Sequence, residues 1–476
     1  MEGRDQSMNQ EGILLLDHYD EAAAMLKDSF RLAGFTGPAV VLSENATLPE
    51  DVLSLYQLAL LDSTAQPYPG SVRQALEKTP DQVQDYQRAH AGWVPGTGRY
   101  FNQIEVPDFW EITADSASGK VYDRNHLRAR IFYARGAGSR VVSDVDWLDE
   151  GGTARFTDHY DLKGQLCART TFNDKGQRFC RSWMDGLGRE RIVENYVTGD
   201  LIVTRNGVTQ LFKNRTEFAV ATLRECGLEG RRVFYNSLST PFFVSERLTP
   251  APEGNVLFWQ EGPRPDIPGN MQFIFDGHSR TQRILVQSSE SYDKLISLGA
   301  SRDHLGTCGF AYAFERDNSG GNKVLICTNS DQIEGLSAIV RGLPEMNFSI
   351  AAITEMSSKL MAFGSEPNVR LYPVASKKAL DHLFKECDWY LDINYGSEIA
   401  SSVKRAFLNN QLILGFAKTL HQRRYVSPRH VFAGVDNLVT QMRELASSPD
   451  ALQEHLALQR AAAMTESPET YRRLLA

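Results

Sequence analysis

Two short segments carry the side chains that could do chemistry, and each stands where a strand should give way to a loop. One is Asp392-Ile393-Asn394-Tyr395-Gly396-Ser397-Glu398, with Arg405 further along; the other is Asn329-Ser330-Asp331-Gln332-Ile333-Glu334-Gly335. A carboxylate such as Glu398 accepts hydrogen bonds and a guanidinium such as Arg405 only donates them, so the two cannot exchange roles. Asp331 and Glu334 make the second loop acidic, so it would repel an anionic ligand. No set of His, Cys, Asp and Glu has metal-ligand spacing, and the serines of Asn236–Phe243 (NSLSTPFF) lack the Gly-x-Ser-x-Gly frame of a hydrolase nucleophile. Trp259-Gln260-Glu261 ends a strand and, because ligands of α/β sheets sit beyond strand carboxyl ends, should face an interdomain cleft as a binding element or as packing. His421, Arg423 and Arg424 read as exposed structural residues. No residue is assigned a catalytic role, and no metal or cofactor is implied.

The elements that would position these residues are legible. A strand (Trp389–Ile393), a Gly-containing loop, a helix (about Ile399–Leu408) and an apolar strand (Gln411–Phe416) follow in order, and upstream the buried strand Lys323–Thr328 leads through its loop into a helix. This order resembles the sugar-nucleotide segment of retaining GT-B glycosyltransferases. In those enzymes two glutamates, one in the loop and one in the helix, hold the donor sugar and ribose, and cations after the upstream strand neutralise the leaving diphosphate. Matching the segments puts Ser397 at the first glutamate, with Glu398 one position off, and Arg405 at the second. Asn329, Asp331 and Glu334 occupy the diphosphate loop without its cations. The resemblance therefore implies a degenerate donor site of Asn329, Asp331, Glu334, Ser397, Glu398 and Arg405.

A chain of 476 residues, 42% hydrophobic and 23% charged, has material for several cores. Its net charge of −8 argues against a general nucleic-acid or lipid-surface binder. No apolar run reaches the roughly 18 residues of a membrane helix, and no signal-peptide pattern opens the chain. The six scattered cysteines suit a reducing cytoplasm. The hydrophobic period changes twice. Residues 1–65 open as β-α-β, 66–212 turn to short alternating strands, and 213–310 return to helix–strand alternation. Residues 311–476 form a second α/β domain with a terminal helix. The expected class is α/β, GT-B-like, with two Rossmann-like doubly wound domains and a large antiparallel insertion in the first.

Within the insertion, turns at Glu150-Gly151-Gly152, Lys163-Gly164, Asp174-Lys175-Gly176, Gly186-Leu187-Gly188, Gly199-Asp200 and Asn206-Gly207 punctuate the alternation, as hairpins require. Residues 119–212 hold 15 Lys and Arg against 12 Asp and Glu, a mild positive excess. An antiparallel sheet can leave one face wet. That face reads either as plain solvated surface or as a platform for an extended polypeptide, with Arg128, Arg130, Tyr160, Arg169, Arg178 and Trp183 as contacts. Alternation puts Arg128 with Arg130, and Phe179 with Arg181 and Trp183, so the candidates cannot all share one face.

Phe234–Val244 (FYNSLSTPFFV), Leu257-Phe258-Trp259-Gln260-Glu261 and Ile267-Pro268-Gly269-Asn270-Met271 carry a closer resemblance, spanning nearly the whole chain. They look like signatures of the GtfB-type stabilising subunits, or glycosylation chaperones, of the accessory Sec system. The resemblance implies a non-catalytic subunit that binds acceptor and stabilises a catalytic GtfA-type partner, with two copies of each in a heterotetramer. The complex would add the first N-acetylglucosamine to Ser and Thr of serine-rich repeat adhesins. It would do so in the cytoplasm, with room for peripheral contact at the cytoplasmic face of the membrane. The alternative is an active retaining GT-B transferase that uses Glu398.

Overall fold

The structure, a computed structural model, describes residues 12–45, 47–60, 96–134, 140–205, 207–248 and 254–475. They form two compact units, one extending to Thr307, the other comprising 28–34 and Cys308–Leu474.

The first unit opens with β1 (Ile13–Leu16), β2 (Ala39–Val41) and β3 (Leu53–Ser54). An antiparallel meander follows, made of β4 (Glu111–Ala114), β5 (Ser118–Asp123), β6 (His126–Tyr133), β7 (Val142–Leu148), β8 (Ala154–Tyr160), β9 (Leu166–Phe172), β10 (Arg178–Met184), β11 (Glu190–Asn195), β12 (Leu201–Arg205) and β13 (Val208–Phe212). The chain then returns as β14 (Val233–Tyr235), β15 (Asn255–Trp259), β16 (Thr281–Val286) and β17 (Leu305–Thr307). Strands from both sides of the meander build one parallel sheet in the order β17-β16-β15-β14-β1-β2-β3. Its order reverses between β1 and β14, as in doubly wound folds. The residues Ile-Leu-Leu-Leu of β1 are fully buried, as a strand covered on both faces must be.

The meander runs in sequence order from β13 to β4. Its middle turns repeat every twelve residues, beginning at Asp149, Asp161, Asn173 and Asp185. In each, the side-chain oxygen accepts the backbone N–H four residues on, at 2.8–3.1 Å. The glycine three residues on takes the left-handed conformation that closes such a turn, with φ of 79°, 73°, 72° and 74°.

One meander face carries Arg130 and Phe132 on β6, Asp144 and Asp146 on β7, Thr157 and His159 on β8, Thr170 on β9, and Arg181 and Trp183 on β10. Toward β9–β12 this face packs on the parallel-sheet core, where Trp183, Ile192, Leu201 and Val203 join Tyr56 and Phe218. A charged seam borders that contact. Arg215 donates to Glu44 and Glu194 at 2.6 Å each, while Tyr56 and Tyr196 donate to Glu194 and Glu44 at 2.6 and 2.7 Å. Burial works against the Glu44 carboxylate, yet Arg215 and Arg181 beside it hold its pKa below the ordinary value. The other face, with Val121, Ala129, Ile131 and Val145, is covered by residues of 101–112.

The second unit contains β18 (Phe310–Ala311), β19 (Lys323–Thr328), β20 (Asn347–Ala352), β21 (Val369–Tyr372), β22 (Trp389–Asp392), β23 (Leu412–Phe416), β24 (Val431–Phe432) and β25 (Thr465–Glu466). Its parallel sheet, β21-β20-β19-β22-β23-β24, reverses order between β19 and β22.

Asn236–Phe243 runs from a short loop into a helix, Thr240–Arg247, with Pro241 preset for its first turn. A further short helix, Leu55–Ala59, follows β3. One local expectation changes: the helix after Glu398 begins at Ser402, not Ile399. All six cysteines are free thiols. The expected boundary at 65/66 and Asn206 lie outside the described residues.

Candidate functional site

The loops after β19 and β22 flank the point where the second sheet reverses, the usual ligand crevice of such folds. Here they are stitched together. Glu334 donates its N–H to the Ile393 carbonyl at 2.9 Å, and Tyr395 its N–H to the Gln332 carbonyl at 3.0 Å. Thr328 Oγ1 donates to Asn394 Oδ1 at 2.8 Å, and a Cβ on Gly396 would meet Asn329 Oδ1 at 1.9 Å. Asn329 itself is exposed.

The acidic side chains of this loop are already paired. Tyr395 donates its hydroxyl to Glu334 at 2.6 Å and Lys418 lies 2.9 Å away, which holds the Glu334 carboxyl below its usual range. Asp331 accepts the Ser357 hydroxyl at 3.0 Å and lines a pocket of about 600 Å³ with Lys359, Phe363 and Tyr395.

Glu398 serves the helix that follows it. One carboxylate oxygen accepts the Val403 N–H at 2.9 Å, a helix-start donor that would otherwise lack a partner; the other accepts from Gln422 at 2.6 Å. Ser397 beside it is exposed. Arg405 lies on that helix with its guanidinium turned to the neighbouring helix Lys377–Glu386. There it donates to Asp381 at 2.5 Å and lies 4.1 Å from the Phe384 ring centre.

His421 is a residue the sequence reading undervalued. Only 17% exposed, it places Nδ1 2.5 Å from Asp392 Oδ1 and Nε2 2.6 Å from the Gly396 carbonyl. The hydrogen bond to Asp392 outweighs its burial and raises its pKa to about 9. It is thus an imidazolium bracing the 394–398 loop. No local motif marks the pair, which is 29 residues apart.

The six meander candidates separate. Arg130 is exposed and makes no ion pair among the described residues; Arg128, on the same strand, reaches Asp123 at 3.3 Å and the Trp110 ring at 5.7 Å. Arg178 lies beside Glu44 at 3.6 Å and over the Tyr196 ring at 5.8 Å. Two expectations of open-face contact fail on burial. Trp183 is 2% exposed and stacks on Tyr56 at 4.3 Å, since its end of the sheet is covered by the parallel-sheet core. Tyr160 is 5% exposed and points with Arg169 into a pocket on the opposite face. Phe179 departs from strict alternation, at 46% exposure, because a bulge lies between Arg178 and Cys180.

Among the residues after β15, Trp259 is 2% exposed within its own unit's core, which removes it as a contact. Gln260 bridges Asn236, the Ala22 carbonyl and Gln287 at 2.9, 3.0 and 2.8 Å. Glu261 pairs with Arg264 at 2.9 Å. Among the described residues no group of three or more His, Cys, Asp and Glu could hold a metal, and no helix is long and apolar enough to cross a membrane.

Family models match successive parts of the chain: the GtfB N-terminal domain over 13–58, the GtfB middle domain over 110–213 and the GtfB third domain over 215–298. The GftB/GlyA-F C-terminal domain matches 324–459. The UDP-N-acetylglucosamine–peptide N-acetylglucosaminyltransferase stabilizing protein GtfB of Streptococcus gordonii is 39% identical over 88% of each chain. The protein of the same name from Streptococcus agalactiae is 35% identical over 97% of this chain and 98% of its own. A chain in the crystal structure of a GtfA/B complex bound to UDP and GlcNAc is 37% identical, covers 97% of this chain and 98% of its own, and superposes with a TM-score of 0.83. With four successive domain matches and relatives this similar over most of its length, the chain belongs to the GtfB family of transferase-stabilizing proteins.

Proposed function

We propose that this chain is the non-catalytic, acceptor-binding and stabilising subunit of a protein O-GlcNAc transferase. A GtfA-type partner holds the UDP-sugar and carries out the transfer. The observation that carries this reading is Arg405. It stands where a carboxylate would grip the donor ribose, and its guanidinium is engaged with Asp381 and Phe384. Glu398, the one carboxylate that could have rescued sugar transfer, is engaged as a helix cap and a partner for Gln422. Of the cations beside the stitched loops, Lys418 is paired with Glu334 at 2.9 Å and Lys359 lies 3.5 Å from the Asp331 carbonyl.

In this reading the GT-B-like frame is kept as a scaffold, and the exposed meander surface around Arg130, with Arg128 at a bulge of the same strand, holds the acceptor. The acceptor is a serine-rich repeat adhesin, modified in the cytoplasm before export, in an assembly of two copies of each subunit. A disordered, small-residue polypeptide offers no anchor for a deep pocket, whereas an open sheet face provides many weak contacts along its length.

The test is turnover of UDP-N-acetylglucosamine by the purified chain alone and after mixing with its catalytic partner. Transfer to repeat peptide should need the partner, whose melting temperature should rise with the concentration of this chain. Turnover by the isolated chain at about 1 s⁻¹, an ordinary enzyme rate, would overturn the reading.

A further inference from the structure

Two aromatic rings of the first unit stay in water although its sheet core is closed. Outside residues 100–212, Phe243 and Phe273 are the large apolar side chains this unit leaves exposed among the described residues, at 41% each. Phe243 belongs to the helix Thr240–Arg247 and Phe273 to the helix Gly269–Phe275. Both rings sit against the buried Phe242, steeply inclined to it, with centres 5.3 and 6.3 Å away. The exposed His278 ring lies 5.5 Å from Phe273. The rings therefore form one contiguous aromatic patch; scattered single side chains would need no explanation, but a patch does.

The patch is mounted on a fixed frame. Asn270 Nδ2 donates to the Leu238 carbonyl at 2.9 Å, tying the start of the second helix to the loop before the first. Ser279, just past the second helix, donates its hydroxyl to Glu246 on the first at 2.6 Å. A surface so fastened loses little conformational freedom when something docks on it. Beside Phe243, one helical turn on, stands Arg247. It is exposed, and its guanidinium has no hydrogen bond or ion pair among the described residues. Asp276, at the end of the second helix, is engaged by Gln272 at 2.8 Å.

Aromatic rings beside an unpaired guanidinium have the composition of an interface hot spot. Charge and shape narrow the occupant. A disordered serine-rich chain has neither large apolar side chains nor a recess with which to cover the rings. A surface of anionic lipid is opposed by the net charge of −8. A second copy related by a twofold axis would set two cationic patches face to face and two net negative chains together. What fits is a folded protein surface with an apolar recess for the rings and a carboxylate opposite Arg247.

We infer that Phe243, Phe273 and Arg247 form a docking surface for the catalytic partner. The identity of that occupant rests on the stabilising role proposed above.

The test uses the full chain, its catalytic partner and two variants, Phe243→Ala combined with Phe273→Ala, and Arg247→Glu. The aromatic double variant should bind the partner at least about thirtyfold more weakly, the scale of one hot-spot residue, and lose most of the rise in the partner's melting temperature. Arg247→Glu should keep the chain's own melting temperature and bind the partner about tenfold more weakly, a loss that shrinks in high salt. Both variants should bind unmodified repeat peptide as the wild type does. Partner affinity within about twofold of wild type in both would overturn the inference; should the aromatic variant lose its own fold, Arg247→Glu decides alone. A dimer of this chain that Arg247→Glu dissociates, phosphatidylglycerol-vesicle binding that the variants lose, or weakened peptide binding would each give the patch to another occupant and overturn the assignment. A wild-type chain that neither binds nor stabilises the catalytic partner would instead overturn the stabilising role, and the occupant named here with it.

Discussion

Trp183 of the meander stacks on Tyr56 of the parallel-sheet core, ring centres 4.3 Å apart and planes within 15°. An insertion of ten strands is thereby fastened to the sheet it interrupts by a buried aromatic pair, with the Glu44–Arg215–Glu194 seam at its border. Replacing Trp183 with Ala should cost about 3–5 kcal/mol, the range for emptying a core aromatic. Denaturant melts followed by tyrosine and tryptophan fluorescence would measure it, and a loss below about 1 kcal/mol would show that the meander is held by other contacts.

Glu398→Ala should separate cap from catalyst. Losing a helix-start acceptor costs about 0.5–2 kcal/mol, so the melting temperature should fall while transfer by the reconstituted complex stays nearly unchanged. A collapse of activity in a folded variant would return Glu398 to a donor-binding role.

Arg405→Glu restores the charge type expected of an active donor site, yet it should yield no turnover of UDP-N-acetylglucosamine. The new carboxylate would face Asp381, lose the Phe384 ring contact and leave Asp331 and Glu334 in the diphosphate loop. Lower stability without activity is the expected pair of results; any donor hydrolysis above background would contradict it.

Two histidines give opposite pH dependence. His421, raised to about 9 by Asp392, is stabilised in its protonated form, so its contribution is complete below the ordinary imidazole value of about 6.5 and is lost as pH climbs through 9. His430, fully buried and held down to about 3 chiefly by burial and then by His455, favours its neutral form, so stability falls as pH drops below about 6.5. Urea melts of wild type and His421→Gln should differ most near pH 6 and converge above pH 9. A constant difference across that range would remove His421 as the titrating group.

Arg128→Ala combined with Arg130→Ala should weaken unmodified repeat peptide by about tenfold, the sum of two modest polar contacts. Partner stabilisation should persist. Unaltered peptide affinity by fluorescence anisotropy would move the acceptor site off this face.

Wherever local chemistry suffices, the sequence alone determined the outcome. Lys323–Thr328 is a strand with the bounds its sequence pattern marks, and the Asx-x-x-Gly spacing marks the turns of the meander because side-chain capping and a left-handed glycine are properties of a few adjacent residues. The reversal of charge type at Arg405 was equally legible, since a guanidinium cannot accept a hydrogen bond in any fold. What each side chain touches belonged to the tertiary structure. Alternation assigns Trp183 and Arg130 to faces, but only the parallel sheet packed over one end of the meander buries the first and leaves the second in water. Tyr160 and Arg169 meet Arg99 only when a chain segment more than fifty residues upstream folds over their face. His421 becomes a cation because β22 and the segment after β23 converge on Asp392. Such pairings depend on long-range closure, and no period or local propensity along the chain encodes them.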